Sequence, residues 1–579
     1  MNRIFLALIV ILATLFTPIG AQPPAGDWPL HNLDAQSTRF LPLDQINTSN
    51  AGELAVKWHI DLPKPASAGT STPIVVGGIM YVNSAGTLFA IDGATGKALW
   101  TRTASQDFPG GGRGPASGDG RVYVAGRSMI AAFDLETGRP SVAFGTDGVL
   151  NPARLALDFK DPGKYPADLN PEDLGYFMAA APTYADGTLF VPLASSEGLV
   201  RGGLLAALNG ATGKVKWAFR TVPQGPQDDG WDLTEDTWSG ADRQGGGIWN
   251  PPSVDTALGM VYINVSNPSP NYDGSQRKGA NLFTNTLVAL DMNTGKLKWY
   301  FQAIHHDIWD WDLVTGPTLF ETTIKGQTVK AVASLAKTCY VYAFNRETGK
   351  PLFPIIEMAV PTKSDVPGEE VYPTQPIPYN ARFVPQSPFC ATFPPNIEDP
   401  ELIKKSRVMF TPPSSKEPLL IAPGALGGPN RGSSSYSPRT GYLYVTGKNS
   451  AMILQAKPLT EPIKPGLNNP GHFENFIEWK MSTDNATQNI AAYDPSTGDL
   501  AWVTEFPGTT NGGNLVTAGD VLFQGIGRNF YAVDATNGKT LAAVNIKIST
   551  FSTPLGYMAG GKQLLAIASG SSIVALGLP

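Results

Sequence analysis

One short phrase returns seven times along the chain and limits what it can fold into. An apolar strand ends in Asp or Asn, two variable residues follow, then Thr-Gly or a near match, then a second strand. Ile91-Asp92-Gly93-Ala94-Thr95-Gly96-Lys97 is the first copy, and its last glycine recurs as Gly138, Gly213, Gly295, Gly349, Gly498 and Gly538. The phrase predicts a hairpin. The Asp or Asn side chain caps the turn, the glycine takes the left-handed conformation, and alternating apolar residues flank both sides. Trp100, Trp217, Trp299 and Trp502 each stand four residues after such a glycine. Large residues at a fixed offset are expected to wedge between adjacent sheets.

A strand pair like that at 73–82 precedes most copies, so each repeat supplies four strands, the content of one β-propeller blade. Strand material left at the two ends, around 58–62 and 563–578, predicts an eighth blade made by pairing the termini. Closure of that kind removes exposed sheet edges. The expected fold is all-β: an eight-bladed propeller of four-stranded antiparallel blades, one domain over residues 22–579. A solenoid would need polar capping repeats, which nothing here resembles. The unequal spacing of the glycines places insertions in loops, the largest between Gly349 and Gly498.

The 62 Gly and 50 Pro are scattered as turn punctuation rather than gathered in tracts. A net charge of -6, with only 16% charged residues, leaves no basic footprint for nucleic acid. Residues 1–21 read as a cleaved signal peptide: Arg3, an apolar run over 4–16, then small residues before Gln22. That run is shorter than the roughly 20 residues of a spanning helix. A periplasmic protein is expected, with peripheral membrane association as an option. No Cys-x-x-Cys-His occurs, which excludes covalent c-type haem. Whether Cys339 and Cys390 pair is left open by the sequence.

The segment 305–312, His-His-Asp-Ile-Trp-Asp-Trp-Asp, packs three carboxylates and two imidazoles beside tryptophans in a chain with five histidines. It follows directly on the hairpin at Gly295, so a regular scaffold presents an irregular loop, where catalytic groups tend to sit. Two adjacent histidines invite zinc. Neighbouring residues point apart, however, and no third nitrogen or sulfur ligand lies near in sequence. His305, His306 and Asp307 are expected to line a substrate mouth or to hold the loop.

Together these features make the chain resemble the quinoprotein dehydrogenases that use pyrroloquinoline quinone (PQQ), eight-bladed propellers with the cofactor on the central axis. The likeness spans essentially the whole mature chain. It is carried by the opening at 27–32 (Asp-Trp-Pro-Leu-His-Asn) and 38–47, and by the closing stretch 513–520. Segments 336–338 and 372–376 lean toward the sugar and polyol branch. The resemblance implies a metal site of Glu197, Asn267 and Asp310 around Ca2+ or a lanthanide, with Asp312 as an extra acid and Asp310 as the base. These are hard oxygen donors, as such ions require. It also implies Trp249 as the aromatic floor under a flat cofactor, Lys337 as the contact to the quinone oxygens, and Arg113 and Asn430 as further cofactor contacts.

Some positions depart from the family pattern. Ala179 and Ala194 stand where alcohol-oxidising relatives often carry hydroxyl groups for the cofactor carboxylates, and Gly110-Gly111-Gly112 where many carry vicinal cysteines. Arg431 stands where a tryptophan is common, and a guanidinium there can replace a lost donor. The expected reaction is oxidation of an alcohol, polyol or sugar. Asp310 takes the hydroxyl proton, hydride passes to PQQ, and electrons leave to an external acceptor, a cytochrome c or a membrane quinone. Specificity is expected in the long excursion at 351–430. The competing reading is a non-catalytic propeller scaffold of the outer-membrane assembly type, or a decayed quinoprotein.

Overall fold

The computed structural model describes residues 25–69, 71–84, 86–105, 113–194, 200–240, 243–393, 399–458, 473–478 and 486–579. Eight sheets follow one another along the chain. Blades 1 to 7 span 74–103, 116–150, 183–220, 253–302, 313–345, 435–507 and 514–545; blade 8 joins 555–577 to 55–61. The termini close the ring as expected: Ala55–Asp61 pairs antiparallel with Ser572–Gly577, Ala55 opposite Gly577 and Asp61 opposite Ser572.

The hairpin phrase folds as its residues dictate. Asp92 Oδ1 accepts the Ala94 and Thr95 amides, each at 2.9 Å. Asp291 Oδ1 accepts those of Asn293 and Thr294 at 3.1 and 3.0 Å. All seven repeat glycines are left-handed, with φ between 64° and 81°, a region that costs a side-chain-bearing residue energy.

The tryptophans serve the next blade rather than their own. Trp58, Trp100, Trp217, Trp299 and Trp502 lie over Gly96, Gly138, Gly295, Gly349 and Gly538 of the blade that follows. A Cβ on any of those glycines would run into the ring, so the turn needs glycine for space as well as for conformation. The indoles of Trp58, Trp217, Trp299 and Trp502 donate to the carbonyls of Gly93, Met292, Arg346 and Ala535 at 3.0, 2.9, 3.0 and 3.1 Å. Each acceptor lies three residues before its glycine. Ring and N–H thus fix neighbouring blades in one register.

One feature of the blades differs from expectation. Blade 5 has three laddered strands, Leu313–Ile324, Gln327–Ala336 and Val341–Asn345, and its fourth shrinks to a bridge between Phe344 and Pro351. Blade 2 likewise has a lone bridge from Phe133 to Pro140, and its outer place goes to Val149–Leu150. In both, proline stands two residues after the hairpin glycine, and the bridge is made by its flanking residues: the Asp134 and Ser141 amides meet Arg139 O and Ala132 O, and those of Asn345 and Leu352 meet Lys350 O and Ala343 O. No tryptophan follows in either. Leu150 and Phe144 cover Gly213 instead, and Phe353 and Asn380 cover Gly498.

Residues 28–41 plug the centre of the ring. Trp28 exchanges backbone hydrogen bonds with Val75 of blade 1 at 2.7 and 2.9 Å. The carbonyls of Pro29, Ala35, Gln36, Thr38 and Arg39 accept from Ser117, Val254, Leu319, Tyr436 and Val516, on the first strands of blades 2, 4, 5, 6 and 7. Arg39 is fully buried. It donates to Asn514 O at 2.7 Å, His31 O at 2.9 Å, Asn32 Oδ1 at 3.2 Å and the Pro554 carbonyl, so its charge is spread over four acceptors.

Candidate active site

Two kinds of connection emerge at one end of an antiparallel blade: the segment entering its first strand and the turn between its second and third. The candidate residues sit on these connections. Arg113 precedes Ala116–Gly118, Trp249 precedes Ser253–Asp255, Asp310 and Asp312 precede Leu313–Ile324, and Arg431 precedes Ser435–Tyr436. Asn267 follows Met260–Asn264 and Lys337 follows Gln327–Ala336, the second strands of blades 4 and 5. One face of the ring therefore collects them.

The loop 305–312 is clamped from behind. Asp307, fully buried, accepts the Trp309 and Trp311 amides at 2.8 Å each and Asn285 Nδ2 at 2.9 Å. Burial pushes its carboxyl above the usual range against those bonds. His306 places Nδ1 2.9 Å from Gly279 O and Nε2 2.6 Å from Glu369 Oε1. His305 lies 2.7 Å from Gln302 Oε1 and 3.1 Å from Glu357 Oε1. Of the two roles expected for these three residues, the structure gives them loop-holding partners. The Trp309 and Trp311 rings stack 5.3 Å apart and donate to Thr411 O and Pro423 O at 2.8 and 3.1 Å. The tryptophans turn toward the insertion, and Asp310 between them and Asp312 after them turn to Lys337. Asp310 manages this with a left-handed backbone, φ 62°, a conformation Asp tolerates better than most residues.

Register then builds an ion-pair network. Leu313 pairs with Ala336, which sets Asp312 opposite Lys337. Lys337 Nζ lies 2.8 Å from Asp312 Oδ1 and 3.1 Å from Asp310 Oδ1, and the Trp249 indole donates to Asp312 Oδ2 at 2.7 Å. The Arg113 guanidinium sits 4.8 Å from the Trp249 ring centroid and donates to Asn250 Oδ1 at 3.3 Å. Asp310, Asp312, Lys337, Trp249 and Arg113 thus form one connected site. Asn267 belongs to the neighbouring strand connection, its carbonyl accepting the Gly246 amide at 2.9 Å. Asn430 stands apart from the network, donating to Leu426 O at 2.8 Å within its own loop. Glu197 lies outside the described residues. Among the described residues no three His, Cys, Asp or Glu side chains gather into a metal-ligating group.

A family model described as glucose/ethanol/alcohol dehydrogenase, beta-propeller domain, of the PQQ type matches residues 28–472. The chain belongs to the PQQ-dependent dehydrogenase family. It is 31% identical to the dehydrogenase subunit of the quinone-type alcohol dehydrogenase of Komagataeibacter europaeus, over 95% of this chain and 72% of that one. It is 26% identical to the glycerol dehydrogenase large subunit of Gluconobacter oxydans, over 95% and 83%. The crystal structure of the quinohemoprotein alcohol dehydrogenase from Comamonas testosteroni superposes with a TM-score of 0.73, at 24% identity over 96% of this chain and 80% of that one. That likeness bears out the eight-bladed fold.

This quinoprotein is an oxidoreductase of the PQQ-dependent class, and its own residues fit the cofactor. Buried polar atoms without a hydrogen-bond partner recur on the site-facing connections: Asn250 Nδ2, Asn267 Oδ1, Ser433 Oγ and Ser450 Oγ. Such atoms are rare in folded proteins and call for a partner. Asn267 Oδ1 is a hard oxygen of the kind a cation takes. The same connections carry the cations Arg113, Lys337 and Arg431.

Lys448 is the member of this set that the sequence reading missed. It is the penultimate residue of Leu443–Asn449, the second strand of blade 6, close to where Lys337 stands just past the second strand of blade 5. Comparing that position blade by blade was the signal available. The pairing of Cys339 with Cys390, which the sequence leaves open, is a disulfide with Cα atoms 5.7 Å apart. A Cβ on Gly428 would overlap both sulfurs. Gly428 in turn donates to Lys337 O at 3.1 Å and accepts from the Lys448 amide at 2.7 Å, so one glycine ties the disulfide to two lysines.

Proposed function

We propose that this quinoprotein oxidises the hydroxyl group of an alcohol or polyol in the periplasm, with Asp310 as the base. When bound, PQQ supplies the two-electron acceptor and a Ca2+ or lanthanide ion supplies the Lewis acid. Asn267 Oδ1, Asp310 and Asp312 would hold the cation together with Glu197, and Trp249 and Lys337 would hold the quinone. The observation that carries the reading is the Asp310–Lys337–Asp312–Trp249 network on a ring face lined with unpartnered polar atoms.

Each protein group has a definable task. Asp310 receives the proton leaving the substrate oxygen, a step for which a carboxylate must lie within hydrogen-bond reach. Lys337 keeps the two carboxylates from repelling each other and fixes where Asp310 points. Asp312 orients the Trp249 ring through the indole N–H, so that a planar group can lie on it. The relatives named for alcohol and glycerol oxidation support small hydroxyl substrates, and reduced cofactor would pass electrons to an external cytochrome c or quinone.

Purified protein should take up PQQ with Ca2+ or La3+ and reduce an artificial dye with alcohols, polyols or sugars. Asp310→Ala should retain quinone absorbance yet lose turnover by roughly 100- to 10,000-fold, the usual range for a proton-transfer group. Undiminished turnover in that variant would overturn the assignment of the base.

A further inference from the structure

We propose that Lys448, with Ser450, Asn511 and Arg431, forms a carboxylate-binding subsite beside Lys337. The inference rests on the reading above and adds residues to that site.

Lys448 is 2% exposed, and its ammonium has one hydrogen-bond partner, the neutral Asn511 Oδ1 at 2.7 Å. Among the described residues no acid faces it: the charged groups acting on it are Lys337 and Arg431, both cationic. A buried ammonium without a counter-ion is disfavoured. Burial first, and the two cations next, push it down to about 7. Ser450 stands two residues on, just past the end of Leu443–Asn449. Its hydroxyl is buried and unpartnered. Asn449 between them turns the other way, to Thr487 and Asn489 at 3.0 Å each and Glu505 at 3.1 Å. Gly428 holds the main chains of Lys337 and Lys448 against each other, so whatever meets Lys337 passes within reach of Lys448.

A buried cation, a free hydroxyl and an exposed guanidinium side by side recognise a carboxylate. The site offers two sources for one: the quinone, which carries three carboxylates, or an acidic substrate such as a hydroxy acid. Lys448 is then a binding residue outside the proton-transfer machinery.

Three titrations of wild type, Lys448→Met and Lys448→Gln decide it. PQQ binding in Ca2+ is followed by tryptophan fluorescence, KM by dye reduction with glycerol and with glycerate, and thermal midpoint with and without PQQ or sodium glycerate. For a cofactor carboxylate, the PQQ Kd should rise at least 10-fold in Lys448→Met with the glycerol KM unchanged at saturating PQQ. For a substrate carboxylate, the PQQ Kd should hold while the glycerate KM rises at least 10-fold and that for glycerol does not. In either case the ligand-free Lys448→Met protein should melt higher than wild type, and its ligand-induced shift should shrink. That opposite pair of movements is one a merely structural lysine would not produce. Unchanged Kd and KM in a variant that melts lower would overturn the proposal. Wild type that takes up no quinone would instead sink the functional reading; the subsite then stands only if glycerate raises the midpoint of wild type and not of Lys448→Met.

Discussion

At the scale of single residues, the loop 305–312 shows how one sequence divides into support and chemistry. Asp307 and the two histidines bond to fixed partners, and the tryptophans brace the insertion, so that Asp310 and Asp312 are held without conformational choice. Such preorganisation lets a base act without first paying to be ordered. Lys448 presents the contrary case, a residue the fold holds at a loss. Its ordinary value is 10.5 and burial, with Lys337 and Arg431, lowers it to about 7. The unfolded chain therefore keeps this proton up to about pH 10, whereas the folded chain releases it above about pH 7. Stability of the cofactor-free protein should rise between those limits, because the unfolded state binds more protons there. Thermal midpoints of wild type minus Lys448→Met across pH 6 to 10 should converge as pH rises. A flat difference would show that Lys448 is not penalised by burial.

At the scale of elements, the disulfide is the device that joins blade 5 to the excursion after it. Cys339 lies two residues past Lys337, and the bridge closes a loop with a sequence separation of 51. Loop-closure entropy for that length is about 4 kcal/mol. The Cys339→Ser, Cys390→Ser double variant should lose stability of that order in denaturant. Its PQQ Kd should also rise several-fold, since Gly428 and the Lys337 turn lose their backing. A double variant with wild-type Kd would confine the bridge to a stabilising role. The elements also mark what the sequence could and could not tell. Hairpins were readable because Asp or Asn, Thr and Gly act locally, within the turn they build. The wedges were readable as wedges, but not their partners, since each indole reaches a glycine in a different blade. The family resemblance implies Asp310, Asp312 and Lys337 separately; their ion pairs depend on the Leu313–Ala336 register, which no local pattern encodes. The thinning of blades 2 and 5 coincides with Pro140 and Pro351 but is not legible from the hairpin phrase, because the turn ahead of each proline matches the other copies.

At the scale of the whole molecule, the ring depends on two segments remote in sequence from what they join. The strand Ser572–Gly577 lies between Ala55–Asp61 and Lys562–Ser569 in blade 8, so it alone links the N-terminal strand to the C-terminal hairpin. Trp58 on the N-terminal strand then covers Gly96 of blade 1, which carries the closure on to the next sheet. Deleting residues 572–579 leaves Ala55–Asp61 without its ladder and opens two new strand edges inside blade 8. Open edges of that kind pair with other chains. The truncated protein should melt less cooperatively than wild type and elute as larger species, while Trp58→Ala, which keeps the ladder and removes the wedge, should elute as wild type does and lose only about 3 to 5 kcal/mol. A truncated chain that elutes and melts as wild type does would mean that the axial plug at 28–41, through Arg39 and its bonds to blades 7 and 8, holds the ring shut by itself.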